Sequence, residues 1–109
     1  MTPTTVAMDV SPEAADRISE LGIQDEVDRM IDHAMKTVQG VKQVVISLEP
    51  PNDMYDEPYL SARAYRDLTF WSEDNPDADR FRRWKTESFS PDVLSKFGLF
   101  LRWDAPHAG

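Results

Sequence analysis

The sequence contains no cysteine, which excludes disulfide bonds, thiolate metal sites and a thiol nucleophile and is compatible with a reducing compartment. Only four glycines are present, all at the ends of predicted elements, so a glycine-rich loop that cradles phosphate is excluded as well. No apolar run approaches the ~20 residues that a membrane-spanning helix needs. The first ten residues hold no basic side chain and do not resemble a signal peptide. We therefore expect a cytoplasmic protein without membrane association.

The composition is that of one packed, acidic domain. Of the 109 residues, 40% are hydrophobic, and three Trp, three Tyr and five Phe are among them. The formal net charge of −8 lies in residues 1–60, which hold twelve acids and four bases, whereas residues 61–109 hold eight of each. Such an acidic half disfavours a nucleic-acid partner, because repulsion opposes phosphate binding. Flexible ends are predicted at Met1–Thr5 and Ala105–Gly109.

Two helices are predicted in the first forty residues. Ser11 followed by Pro12 and an acid is typical of a helix start, and Gly22 ends this helix after Leu21. The second helix, Gln24–Gln39, carries apolar residues at the spacing of an amphipathic helix, namely Val27, Met30, Ile31, Ala34, Met35 and Val38. This stripe predicts a sheet for the helix to pack against.

The organising stretch is Val41–Trp71, which predicts strands Lys42–Glu49 and Tyr59–Phe70 joined by the acidic loop Pro50–Pro58. One face of this hairpin is apolar, with Val44, Ile46, Leu48, Leu60, Ala62 and Ala64. The other face includes Gln43, Val45, Tyr59, Arg63 and Tyr65. Arg66 falls on the apolar register, which predicts either a β-bulge or an end of the sheet that no helix covers.

A helix at Asp77–Glu87, a short helix beginning at Ser90 and a strand at Gly98–Asp104 complete the predicted elements. Their order, αα-ββ-αα-β, predicts an α+β fold with a small antiparallel three-stranded sheet and helices packed on one face. A right-handed crossover from the second strand places the third beside the first, in the order 2-1-3. An alternating stretch before the first helix permits a short edge strand, but it is too brief to include in this sheet (Val6, Met8 and Val10).

This organisation resembles that of a loose group of short, acidic, uncharacterised bacterial proteins. The matching features span roughly residues 10–104: Ser11-Pro12-Glu13, Leu21-Gly22-Ile23, the strand Val44–Glu49, the loop ending Asp56-Glu57-Pro58-Tyr59-Leu60, the helix with Phe81 and Trp84, and the final apolar strand. Such proteins are similar in organisation to antitoxin-like partners encoded in small bacterial operons. The resemblance implies a partner-binding protein and supplies no catalytic residues.

No residue pattern indicates catalysis, a metal site or a cofactor. The acidic loop lacks the regular ligand spacing and the turn glycine of a calcium loop, although weak binding of a divalent ion there stays open. No serine has the flanking glycines of a nucleophile elbow. His33 is expected to be exposed on the polar side of its helix, and His107 lies in the tail. We expect a protein that is not an enzyme.

The outer face of the predicted sheet is the main candidate for function. Its proposed partner-binding residues are of the types that anchor protein interfaces: Tyr59, Arg63, Tyr65, Trp71 and Arg102. Cross-strand pairing that stabilises a solvated sheet is an equally common reason for such residues. We expect an antitoxin-like or other regulatory protein with a protein partner that the sequence does not identify, and a homodimer stays open.

The alternative is a nucleic-acid-binding regulator. The run Arg80–Lys85 interleaves basic residues with Phe81 and Trp84, which is typical of charge and stacking contacts with RNA. The competing interpretation buries both aromatic residues and pairs the arginines with nearby acids. The order Thr5–Val10 followed by two helices is also that of a ribbon-helix-helix DNA-binding dimer, but these helices are acidic.

Overall fold

The computed structural model describes residues 7–51, 53 and 56–104. The predicted flexible ends, Met1–Thr5 and Ala105–Gly109, lie outside these residues. Within them the chain forms, in order, β1 Ala7–Val10, α1 Pro12–Leu21, α2 Gln24–Thr37, β2 Val41–Glu49, β3 Tyr59–Asp67, a 3₁₀ turn Leu68–Phe70, α3 Pro76–Ser88, α4 Pro91–Lys96 and β4 Phe97–Asp104. None of the helices in the described ranges is long and apolar enough to cross a membrane.

The sheet is mixed and four-stranded, in the order β1-β2-β3-β4. The hairpin β2–β3 is antiparallel as predicted, whereas β1 pairs in parallel with β2 and β4 pairs in parallel with β3. The α+β class is therefore confirmed, but the prediction of a three-stranded antiparallel sheet in the order 2-1-3 is wrong. The reason is that β1, omitted from the predicted sheet, occupies the edge of β2 where the last strand was expected. The last strand adds to β3 instead. The connections from β1 to β2 and from β3 to β4 each join parallel neighbours across the same face of the sheet, so one crossover is right-handed and the other is left-handed.

The predicted helix starts follow from side-chain caps. The Ala14 N–H donates to Ser11 Oγ at 3.2 Å, and the Val93 N–H donates to Ser90 Oγ at 3.3 Å. Gly22 ends α1 in the left-handed region with φ +67°, which glycine adopts without steric cost. The helix α2 ends two residues earlier than predicted, because Val38 is already extended.

One apolar core fills the space between the helices and the inner face of the sheet. The prediction of the apolar hairpin face is confirmed, since Val44, Leu60, Ala62 and Ala64 are fully buried. The last strand contributes Phe97 and Leu99 to the same core, and the helices contribute Ala14, Ile18, Val27, Met30, Ile31, Ala34 and Phe81. All four α-helices pack residues against this cluster, so the helices lie on one face.

Arg66 has an inward register and is buried, with only 3% of its surface exposed. The irregularity in the sheet lies opposite it in β2, where the register shifts between Val41 and Gln43. The explanation by an uncovered end of the sheet is therefore wrong. The Arg66 Nε–H donates to the Gln39 carbonyl at 2.9 Å, and its Nη2 lies 2.8 Å from Asp77 Oδ2 at the start of α3. These partners satisfy a charge that would otherwise be costly to bury.

Candidate functional site

The outer face of the sheet is built from side chains in register across β2, β3 and β4. One row across the strands is Val45, Arg63 and Phe100, and the next is Gln43, Tyr65 and Arg102. Because neighbouring residues of a strand point to opposite faces, these side chains all leave the sheet away from the helices. The topology thus presents residues from three strands on a surface that the described helices do not cover.

An open depression of about 410 Å³ lies on this face. Its lining includes Glu49, Tyr59, Ser61, Arg63, Phe100 and Arg102. Three of the five residues predicted to bind a partner are therefore brought together here. Tyr65 lies on the same face in register with Arg102, whereas Trp71 does not line the depression. Ser61 and Phe100 were absent from the predicted set, although their alternation with inward-facing residues already placed them on this face.

Gly98 leaves room for two aromatic side chains to lie over β4. The Tyr59 hydroxyl donates to the Leu94 carbonyl at 3.1 Å, which carries the tyrosine over β4. A Cβ atom on Gly98 would lie 2.5 Å from the Tyr59 hydroxyl oxygen and 3.0 Å from Phe100 Cζ. The bare glycine backbone therefore lets both rings lie close against β4, and both rings line the depression.

Arg63 provides the least satisfied donor of the outer face. One Nη2 hydrogen bond to Ser47 Oγ is long, at 3.4 Å, and the Ser47 hydroxyl in turn donates to Glu49 Oε1 at 3.2 Å. The Arg63 Nε atom is buried and has no hydrogen-bond partner among the described residues. A guanidinium carries five N–H donors, so this side chain retains capacity for an acceptor that is not part of the described chain.

Lys85 connects the helix layer to the edge of the outer face. Its Nζ donates to the Leu99 carbonyl on β4 at 3.2 Å and lies 5.8 Å from the centroid of the Phe100 ring. Burial, assisted by the nearby charge of Arg82, lowers the pKa of Lys85. An ammonium group on an edge carbonyl disfavours addition of another strand at that point.

Trp71 belongs to a separate apolar patch that follows the 3₁₀ turn. Its side chain is 55% exposed, and Phe70 and Leu68 beside it are also exposed. Phe70 lies against Gly40, where the chain enters β2. Met35 lies in the same region as Phe70. None of these residues lines the depression on the outer face.

The basic run of α3 does not offer its aromatic residues to a ligand. Phe81 is fully buried, and the Trp84 ring stacks on His33 at a centroid distance of 3.7 Å. The interpretation that buries both aromatic residues is therefore supported for Phe81, whereas Trp84 is partly buried and packs against the core. The prediction of an exposed His33 is wrong, because α3 covers its ring. Arg82 pairs with Asp79 at 3.2 Å, as expected of an exposed helical ion pair.

Carboxylates and histidines do not converge in the described part of the chain. No group of three or more His, Asp or Glu residues there is arranged to hold a metal ion. Within the described part of the acidic loop, Glu57 lies 3.9 Å from Arg17 of α1. The loop thus contacts a helix through an exposed ion pair of small energetic value.

Comparisons with known proteins find no match to this chain among protein-family descriptions, curated proteins or solved structures.

Proposed function

We propose that this chain is a non-enzymatic protein-binding protein, an antitoxin-like or other regulatory partner, and that it binds its partner through the outer face of the sheet. The supporting observation is the open depression between β3 and β4, with Tyr59, Arg63 and Arg102 in its lining. Tyrosine and arginine supply large contact areas and directed hydrogen bonds, and they are enriched at the energetic centres of interfaces.

The geometry of the face favours recognition over purely internal stabilisation. Phe100 is 38% exposed although it is a large apolar side chain, and Arg102 beside it is exposed as well. Arg63 makes one long cross-strand hydrogen bond on this face, to Ser47 Oγ at 3.4 Å, and its Nε atom has no partner among the described residues. Because that Nε atom is buried, an incoming protein would cover the aromatic surface and offer acceptors to the terminal nitrogens of the guanidinium.

Affinity capture from a lysate of the source organism tests this proposal. The wild-type chain is compared with an Arg63→Glu, Tyr65→Ala double variant and with Arg80→Glu as the matched control. Arg80 is exposed on α3, away from the outer face, and its substitution makes the same change in charge. We expect proteins that are retained by the wild type and by Arg80→Glu and lost with the double variant. An identical set of retained proteins for all three chains removes the outer face from consideration.

Sedimentation of the purified wild-type chain and the double variant determines whether the partner is a second copy. A concentration-dependent dimer that the double variant loses identifies the homodimer as the complex formed by this face. If the wild type remains monomeric while it retains a captured protein, the partner is a different chain.

A further inference from the structure

We infer that the partner of the outer face is an acidic protein segment, one of whose carboxylates is bound between Arg63 and Arg102. This inference depends on the proposed function and adds the chemistry of the partner to it. Arg63 and Arg102 extend from neighbouring strands, with Arg102 two residues further along β4 than Phe100, the register partner of Arg63. Both line the same depression.

The donors of Arg63 indicate an anionic acceptor. Its Nε atom has no hydrogen-bond partner among the described residues, and the contact of its Nη2 with Ser47 Oγ is long. A buried, unpaired donor leaves a charged group incompletely compensated. A carboxylate matches the planar fork of a guanidinium and forms charge-assisted hydrogen bonds about twice as strong as neutral ones. A carboxylate that reaches the terminal Nη atoms would therefore compensate the charge of this guanidinium.

The walls of the depression strengthen such a contact. The rings of Tyr59 and Phe100 flank the arginines, and Ser61 between them is 8% exposed. A partner that covers these rings excludes water from the ion pair, and the attraction between charges grows as the effective dielectric constant falls. An aliphatic residue next to the partner's carboxylate would bury area against the rings. An acidic strand or loop with interspersed apolar residues fits this combination.

The net charge of the chain does not oppose this partner at the site. The charged residues in the lining are Glu49, Arg63 and Arg102, with a local net charge of +1. Helices α1 and α2, residues 12–37, hold seven acids and three bases, but they pack on the opposite face of the sheet. A helix layer is about 10 Å thick, whereas charges are screened beyond roughly 8 Å at physiological ionic strength. Arg63 and Arg102 are therefore the cationic groups that a carboxylate meets inside the depression, whereas Asp56 and Glu57 of the adjoining loop line a separate depression on the other side of Tyr59.

A nuclear magnetic resonance titration of the full chain tests the inference. The probe is a short peptide of alternating valine and glutamate, and its control has glutamine in place of every glutamate. We expect the Arg63 Nε–H resonance to shift with the glutamate peptide and not with the control. Arg63→Gln should weaken the glutamate peptide about tenfold or more, since it removes the charged hydrogen bonds. Arg80→Glu, on the opposite layer, should leave the affinity within about twofold.

Three results would overturn the inference. The first is an absence of any shift at Arg63 with the glutamate peptide, and the second is an equal shift with both peptides. The third is a shift at Arg63 that only a single-stranded oligonucleotide produces, which would identify a nucleic-acid partner. Lysate capture separates these failures from failure of the proposed function. If Tyr65→Ala loses the captured proteins and Arg63→Gln retains them, the outer face still binds protein. Only the inference that the partner is acidic is then rejected.

Discussion

Arg66 Nη2 lies 2.8 Å from Asp77 Oδ2, and the two side chains are only 4% and 13% exposed. The Arg66 guanidinium also lies 4.2 Å above the centroid of the Trp103 ring. The pair joins the end of β3 to the start of α3, so it fixes the point at which the chain leaves the sheet for its second pair of helices. Nearly buried pairs of this kind are sensitive to loss of one partner, which leaves the other charge uncompensated.

We predict that Asp77→Asn destabilises the fold by about 1.5–3 kcal/mol, the range for a hydrogen bond to a charged group. Asparagine keeps an acceptor but leaves Arg66 without its counter-charge. The measurement is the urea midpoint at neutral pH. Asp79→Asn is the matched control, because its exposed pair with Arg82 on the same helix contributes at most about 1 kcal/mol. Equal midpoints for the two variants would contradict a special role for the buried pair.

The same carboxylate predicts a loss of stability in acid. Burial by itself raises the pKa of Asp77, but hydrogen bonds from the Gln39 and Ala78 N–H groups and the charge of Arg66 outweigh it and lower the pKa below 3.8. A lowered pKa in the folded state contributes stability that is present above the unfolded value and is lost as pH falls through the folded one. Unfolding measured from pH 5 downward should therefore show a smaller decline in Asp77→Asn than in the wild type. Parallel curves would disprove this linkage.

Two glycines with positive φ angles form a second matched pair for substitution. Gly22 has φ +67° and open space where an added methyl group would lie, whereas at Gly40, with φ +82°, an added Cβ would lie 2.7 Å from Phe70 Cδ2. We predict that Gly22→Ala costs about 1–2 kcal/mol through backbone conformation alone. Gly40→Ala should cost a further ~1 kcal/mol or more, because Phe70 must move.

A double-mutant cycle with Phe70→Ala isolates that further cost at Gly40. The added penalty should disappear in the Phe70→Ala background, since the ring that the new methyl meets is then absent. A penalty of the same size in both backgrounds would show that the backbone conformation is the whole effect.

Gly98→Ala should disturb the outer face more than it disturbs the core. The new Cβ would meet the far ends of two side chains, Tyr59 and Phe100, which can rotate away at the loss of the Tyr59–Leu94 hydrogen bond. We expect a stability loss of about 0.5–1.5 kcal/mol, the value of one such bond, together with reduced capture of the partner. Tyr59→Phe removes the same hydrogen bond without adding an atom at Gly98. If both variants bind the partner equally well, the close approach of the two rings to Gly98 is irrelevant to recognition.

The stacking of His33 on Trp84 predicts that packing between α2 and α3 contributes to the free energy of unfolding. The rings are 3.7 Å apart between centroids and inclined by 10°. His33→Ala should reduce the free energy of unfolding by about 0.5–1.5 kcal/mol beyond the loss of buried area. His33→Phe, which can keep the stack, should recover most of it. Recovery by His33→Leu to the same degree would show that apolar area, rather than ring geometry, is what matters.

Local sequence signals predicted the elements well. The serine, proline and acid at Ser11 and Ser90 specify helix starts because a hydroxyl cap and a fixed φ act within one turn of chain. The alternation from Val44 to Ala64 likewise specified which hairpin face enters the core, because strand side chains alternate regardless of their neighbours. The alternation therefore also predicted that Tyr59, Arg63 and Tyr65 lie on the outer face.

The order of the strands and the composition of the site were decided by tertiary structure. The short stretch Ala7–Val10 has too few residues for its own pattern to predict a strand, and its pairing with β2 is a long-range contact. That pairing occupies the free edge of β2, so β4 pairs with the free edge of β3. Phe100 and Arg102 of β4 therefore lie beside Arg63. The burial of Arg66 and the partial burial of His33 depend in the same way on where α3 packs. By itself the sequence determined the helices, the hairpin and its two faces, since these depend on neighbours along the chain. Only tertiary structure decided which residues share the outer face, because that depends on which edges of the sheet are already occupied.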